Sequence, residues 1–428
     1  MLETLIAAWK LPDLRKRILF VFGAFAVYTV GLHIPVPGID HAKMEQLFAQ
    51  GGVFGLVDVF SGGALRKFTI FAMGIVPYIN ASIIMQLLVA ALPRLKELQK
   101  EGETGRKEIA KYTRYLTVAL AFLQSLGISI TLVRSDILTA NWWQLIVTAV
   151  VLTAGTMFLL WLGEQITDKG VGNGVSLIIF ASITASLPWQ LSKVWESISL
   201  LHAWISLILL AVVFLGTIVG IVYVTQAQRK IPIQHARRIV GMRQVGGHSS
   251  FLPLKIAMAG VIPIIFAISL MLLPMTLATA IPGDTGWVFY LKQAAQWVAP
   301  GDNAFALLMY GIVIVIFTYF YTAVQFDVND MADNLKKYGS YIPGIRPGKP
   351  TADYLDRVVS RITFAGALFL ATVACIQYIA PSITGVDIGT FSLVGGTSLL
   401  IVVGVALDTM QSIEAQMLMR NYEGFLRE

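Results

Sequence analysis

The sequence predicts an all-α integral membrane protein: ten transmembrane helices in two pseudo-symmetric, inverted halves of five, with one short re-entrant helix. Three observations carry this. Of the 428 residues, 13% are charged and 56% apolar, with a mean hydropathy of +0.72, whereas soluble domains hold about 25% charged residues. Cutting the chain at every Asp, Glu, Lys and Arg leaves ten charge-free runs of 19 residues or more, and roughly 20 helical residues cross a hydrocarbon core of about 30 Å. The basic residues, finally, crowd into alternate connections.

The runs are 18–39, 68–93, 115–133, 137–163, 170–192, 197–228, 256–283, 303–326, 362–386 and 388–407. They do not alternate apolar and polar residues as strands of an outer-membrane barrel do, so they are helices. The first, behind Arg15, Lys16 and Arg17, looks like a signal peptide in isolation, but nine further spans follow and it reads as a retained helix. With a cytoplasmic N-terminus, the inside connections hold 26 of the 32 basic residues and the outside loops hold 6. Both termini are therefore expected in the cytoplasm. The same asymmetry, by itself, also suits contact with anionic lipids. Cys375 is the single cysteine and falls in a span, so neither an internal disulfide nor a thiolate metal site is expected.

Five is odd, so a second set of five spans enters the membrane from the opposite face, which is the arithmetic of an inverted repeat. The halves are expected at 1–190, containing the cytoplasmic loop 94–114, and 191–409, containing loops 229–255 and 327–361, with a cytoplasmic tail at 410–428. A hinge is expected within 188–202. Loop 229–255 holds six basic residues and no acid, and Ile231, Ile233 and the Gly246-Gly247 pair suggest a projecting hairpin. In loop 327–361, residues 333–337 read as helical and IPGIRPGKP as a rigid turn. The outside segment GGVFGLVDVFSGGALRKF is too short to cross and too apolar for a solvated loop. It fits either a re-entrant half-helix about 52–67, buried in protein, or an interfacial helix on the outer surface.

Chemistry is missing from the spans. A pump or membrane enzyme shows an ionisable group within a span, and the ten runs have none by construction. His33, His41, His202, His235 and His248 lie at span ends or in loops, which disfavours paired haem ligation. The string GIRPGKPT fails the spacing of a phosphate loop and lacks its hydroxyl. No enzyme activity, cofactor or metal is expected. Polar uncharged residues do enter spans: Asn80, Ser82 and Gln86 beside Pro77, then Gln124, Ser125 and Gln377. They suit ordinary interhelical hydrogen bonds of about 0.6 kcal/mol, or a helix face that parts from its neighbour and meets water.

The strings FSGGAL (60–65), GIVPYINASIIMQLL (74–88), EGETGRKEIAKYTRY (101–115), GNGVSLIIF (172–180), GVIPIIF (260–266), MADNLKKYGSYIPGIRPGKPT (331–351) and GGTSLLIVVGVALD (395–408) resemble the bacterial SecY family, channel subunits of the general protein-secretion translocon. The likeness runs in order along essentially the whole chain, with Met331 where the family often has Thr. It implies a passive channel in the bacterial plasma membrane that passes unfolded secretory polypeptides and releases apolar segments sideways into lipid. The implied partners are SecE, SecG, the SecA ATPase, the ribosome, signal sequences and membrane lipids, and DNA is not among them.

The resemblance also implies residue roles. Phe60, Ser61, Gly62, Gly63, Ala64 and Leu65 would form a plug. Ile75, Ile79, Val175, Ile179, Ile265 and Ile401 would form the pore ring, with Leu400 an adjacent candidate in the tenth span and Val175 smaller than the family's usual isoleucine. Asn80, Ser82 and Gln86 would line a lateral gate between spans two and three on one side and seven and eight on the other. Arg229, Arg237, Arg238, Arg243 and Arg346 would meet the motor or the ribosome. Physics agrees with an aliphatic ring, since it dewets when empty and yields to any passing side chain, although the four-residue spacing of Ile75 and Ile79 alone suits plain packing. A secondary transporter is the rival class, and it would need a small-molecule site at the midplane.

Overall fold

The computed structural model describes residues 9–40, 42–44, 48, 58, 61–139, 141–201, 204–235, 238–240, 243–245, 249–280, 286–298, 303–384 and 396–425. Helix α1 (Pro12–Gly31) starts on a proline whose fixed φ suits the first helical turn, with Asp13 near the positive end of its dipole. A single turn, α2 (Ala64–Lys67), precedes α3 (Val76–Ala91). Leu92 then takes an extended conformation, as a residue before proline must, and the axis turns by 100° into α4 (Pro93–Lys100). The long helices α5 (Glu103–Arg134), α6 (Trp142–Lys169), α7 (Gly174–Leu201) and α8 (Trp204–Gln226) follow. Asn141 and Gln144 close a reciprocal cap at the start of α6. Helix α7 runs through Pro188 to Leu201, so the expected hinge region is largely helix, and residues 202–203 lie outside the described residues.

Four strands come next: β1 (Gln228–His235), β2 (Arg238–Val240), β3 (Arg243–Val245) and β4 (Ser249–Lys255). The second half continues with α9 (Ile262–Ala280), α10 (Trp287–Val298), α11 (Ala304–Gln325), α12 (Val328–Lys337), β5 (Ser340–Tyr341), α13 (Lys349–Thr384) and α14 (Thr397–Phe425). Each charge-free run holds one long helix. Among the described residues six helices are long and apolar enough to cross a membrane, and the bent pair α3–α4 makes a seventh. The apolar stretches of α7 and α9, at Gly174–Gln190 and Ile262–Pro274, are shorter.

Packing leaves apolar side chains on the outside as well as in the core. On α8, Ile208, Val212, Leu215, Val219 and Tyr223 recur every three or four residues and are all exposed, giving an apolar stripe suited to lipid. The inward faces of α1, α3, α6, α7, α9, α11 and α14 share one apolar cluster. Helices α5, α6 and α7 pack in sequence, and α11 packs on α9 and α13. A Cβ on Gly174 would collide with the carbonyl of Gly163, so α6 and α7 approach at backbone distance there. The two sets of helices meet where α9 packs against α3 and α5, and again where α7 packs against α14.

The expected hairpin is present, with β1 antiparallel to β4 from Gln228↔Lys255 to Gln234↔Ser249. The structure adds a feature that counting loops could not supply. Strand β5, from the other long loop, pairs with the free edge of β1 at Gln234↔Tyr341 and His235↔Ser340. Beneath this sheet, Ile231, Leu254, Ile342, Leu355, Val358, Val359 and Ile362 form a separate apolar cluster. The two loops are therefore one folded unit. Leu355 is fully buried in it, and Leu355→Ala should cost that unit about 2–5 kcal/mol. Limited proteolysis should then cut the 229–255 hairpin faster, although Leu355 lies about a hundred residues away in sequence.

Candidate functional site: plug, ring and seam

The segment before α2 is a compact knot of hydrogen bonds centred on a buried acid. Asp58 is buried, and its Oδ1 accepts from the Arg66 amide at 2.9 Å and from Ser61 Oγ at 3.4 Å. Its backbone carbonyl accepts from Ser61 Oγ and from the Gly63 amide, both at 3.0 Å. Ser61 Oγ in turn accepts from the Leu65 amide at 3.1 Å. Gly62 and Gly63 sit at φ +73° and +81°, left-handed values that glycine adopts freely. Such a chain turns sharply while its backbone groups stay paired, which burial at membrane depth demands.

Of the expected half-helix about 52–67, Asp58 and Ser61 are helical and Ala64–Lys67 forms a further turn, while 52–57, 59 and 60 lie outside the described residues. Ser61, Ala64 and Leu65 are buried, which fits the buried alternative better than a helix on the outer surface. Phe60 lies outside the described residues, as do 51–57. Downstream, Phe68 is fully buried at φ +45°, a left-handed conformation that costs a non-glycine residue roughly 1–2 kcal/mol. Beyond it the chain is pinned to the end of α1 by Val36 N–H to Phe68 O and Ile70 N–H to Ile34 O.

The six ring candidates come from four helices, and each lies at or near the helix start. Ile75 caps α3 and Ile79 is one turn further on; Val175 and Ile179 open α7; Ile265 opens α9 and Ile401 opens α14. Ile75, Ile79, Ile179, Ile265 and Ile401 are buried members of the single large apolar cluster, and Val175 packs against it half-buried. Ala64, Leu65 and Phe68 belong to the same cluster. Leu400 is also buried there, so both tenth-span candidates remain in contact with the core.

Helix α3, which carries the residues expected at the lateral gate, presents its polar residues unevenly. Gln86 Nε2 donates to Ser82 Oγ at 3.4 Å across one turn, while Asn80 is buried two residues before Ser82, about 200° around the helix. The sequence grouped the three; the structure pairs two and sets the third apart. Asn80 Oδ1, Gln86 Oε1 and, on α5, Gln124 Nε2 have no hydrogen-bond partner. Both helices pack on α9. Ser125 is satisfied, donating to Ala149 O at 3.1 Å, and Gln377 Oε1 accepts from Thr397 Oγ1 at 2.8 Å, tying α13 to α14.

Among the basic candidates, Arg229 is exposed on β1. Arg238 and Arg243 occupy the small hairpin β2–β3, at Arg238↔Val245 and Val240↔Arg243. Arg237 lies outside the described residues. Arg346 is exposed, and its carbonyl accepts from Thr351 Oγ1 at 2.8 Å, which locks the turn between Pro343 and Pro347 onto the start of α13. Among the described residues no cluster of His, Cys, Asp or Glu could hold a metal.

The SecY family model matches residues 69–410. The chain is 44% identical over 442 aligned residues to the protein translocase subunit SecY of Streptomyces galbus, covering all of both chains. The chain belongs to the SecY family. Its fold agrees: a SecY structure whose plug domain stabilizes the closed state of the translocation channel superimposes with a TM-score of 0.66, at 17% identity over 96% of each chain. Canine Sec61, from the ribosome–channel complex of the endoplasmic reticulum, gives 0.63 at 16% identity over 96% of each. As a SecY, the protein is a multi-pass membrane protein and the channel subunit of a protein translocase, not an enzyme.

Sequence reading missed the residues that surround the SecY segment 61–65. Tyr28 donates to Ser61 O at 3.1 Å and lies 2.8 Å from Ser182 Oγ, and the Arg66 guanidinium sits 3.7 Å above the Trp189 ring. Asp58, the one acid between Glu45 and Glu97, was the available signal. For the seam, a buried acceptor left unpaired costs about 1–3 kcal/mol, so Asn80→Leu should stabilise the closed seam. Export of substrates with marginally apolar signals should fall, and thermal unfolding should shift upward.

Proposed function

We propose that this SecY protein works as a passive conduit in the bacterial plasma membrane with both termini in the cytoplasm, sealed by the aliphatic ring and the segment 60–65 acting as plug. The supporting observation is that ring candidates from four helices, together with Ala64 and Leu65, lie in one buried apolar cluster. A polypeptide channel cannot rely on specific binding groups, because every side chain must pass. An aliphatic constriction excludes water and ions when empty and has no hydrogen bonds to break when a chain arrives. The seam between α3–α5 and α9 is the lateral gate, with Ser82 and Gln86 paired on one face of α3 and Asn80 buried on another. There a segment partitions by its transfer free energy, with apolar residues contributing about −0.3 to −0.6 kcal/mol each and charged ones costing about +2.5 to +3.5.

SecE and SecG complete the channel, and SecA or the ribosome supplies the driving force at the cytoplasmic sheet. The hairpin arginines Arg229, Arg237, Arg238 and Arg243 attract phosphates or an acidic surface over long range, while Arg346, in its locked turn, makes one defined contact. A role in ribosome docking has its parallel in canine Sec61.

Deleting 60–65 should raise resting ion conductance in single-channel recordings without loss of folded protein. Ile79→Asn with Ile179→Asn should hydrate the constriction and raise leak likewise, whereas Asn at Ile312 and Ile316, exposed on the outer face of α11, should not. Equal leak in the two pairs rejects the ring. For the sheet, replacing the hairpin arginines with Gln should weaken ribosome binding and flatten its salt dependence. Arg346→Glu should spare that binding and impair SecA-driven export from reconstituted vesicles.

A further inference from the structure

Among the described residues 58 and 61–68, local hydrogen bonds hold one compact group. The hydrogen bonds among Asp58, Ser61, Gly63, Leu65 and Arg66 close within it, so it can leave its seat as a unit without exposing those groups. Downstream it is anchored to the segment that follows α1, by Val36 N–H to the carbonyl of the left-handed Phe68 and by Ile70 N–H to Ile34 O. What retains the group on the side of α7 is a separate matter.

Apolar packing is incomplete on the side facing α7. A cavity of about 160 Å³ lies there, lined among others by Asp58, Gly62, Gly63, Arg66, Trp189 and Gln190. Gln190 is fully buried, and its Oε1 has no partner. Two polar contacts bracket this gap. On one side the Tyr28 hydroxyl bonds Ser61 O and meets Ser182 Oγ, and Gly62 is held so close that a Cβ there would stand 2.7 Å from that hydroxyl and 3.0 Å from Ser182 O. On the other, Arg66 reaches across to the face of Trp189 at 3.7 Å.

We infer that Tyr28, Ser182 and Trp189 are plug-positioning residues, a two-point latch through Ser61 and Arg66 that sets how long the closed state lasts. The inference rests on reading 60–65 as the plug. The latch residues lie on α1 and α7, spans one and five, whereas the lateral seam is α3 and α5 against α9. Parting the seam therefore leaves the latch intact, and plug release is a second, separately controlled step. The latch contacts are few and individually weak, since a cation over a partly exposed aromatic ring is a modest attraction. Weakness is what a reversible closure requires.

The test uses the full chain reconstituted in planar bilayers, with resting open probability as the readout. Tyr28→Phe and Trp189→Leu should each raise it roughly threefold to tenfold, and Ser182→Ala should act in the same direction. Trp189→Phe and Arg66→Lys keep a cation over a ring and should restore most of the closure, a rescue that general destabilisation would not give. In a chain lacking 60–65, Tyr28→Phe and Trp189→Leu should add nothing. If that deletion itself leaves conductance unchanged, the plug reading fails and the latch with it. If the deletion opens the channel while Tyr28→Phe and Trp189→Leu remain closed, the latch alone is overturned.

Discussion

The constraint on which everything else depends is the absence of water around the backbone. Inside hydrocarbon every N–H and C=O must find a partner within the protein, so each charge-free run becomes a helix that satisfies itself along its own axis. Irregular backbone survives only where something else pairs it. The stretch from Asp58 to Phe68 shows the cost of departing from that rule: a buried carboxylate, a buried serine and two left-handed glycines are all committed to keeping one short turn hydrogen-bonded.

Self-sufficient helices attract one another weakly in lipid, and that is what allows a channel to open. The two sets of helices meet through side-chain packing of α9 on α3 and α5 and of α7 on α14, not through a shared sheet or ion pairs spanning the membrane among the described residues. Helices α3 and α5 carry buried amide atoms with no partner, so their packing is not fully satisfied. The sheet of β1, β4 and β5 is built on the opposite logic. There water is present, strands pair edge to edge, and β1 carries neighbours on both sides.

Much of this was legible in the sequence, for a physical reason. Whether a run of twenty residues lacks charge is a local property, and so are the hairpin within 229–255 and the helix preceding the IPGIRPG turn. The partners of Tyr28 were not legible. Ser61 and Ser182 lie 33 and 154 residues away, and a tyrosine in an apolar run carries no mark of which carbonyl it will meet. The β1–β5 pairing was hidden for the same reason, since it joins segments about a hundred residues apart. Ile75 and Ile79 carry no signal that separates a pore lining from a core. Pro188 misled in the other direction, because the helix bears it without stopping.

The length of α13 has a mechanical consequence. Its 36 residues make a rod of about 54 Å at 1.5 Å per residue, longer than the hydrocarbon is thick. One end is clamped by the threonine that holds the Arg346 turn; near the other, Gln377 grips Thr397, the first residue of the helix that carries Ile401. A stiff strut thus joins the Arg346 turn to the start of α14, the helix that carries Ile401. Displacement at the turn is delivered as translation or tilt of a single solid piece, in the manner of a pushrod.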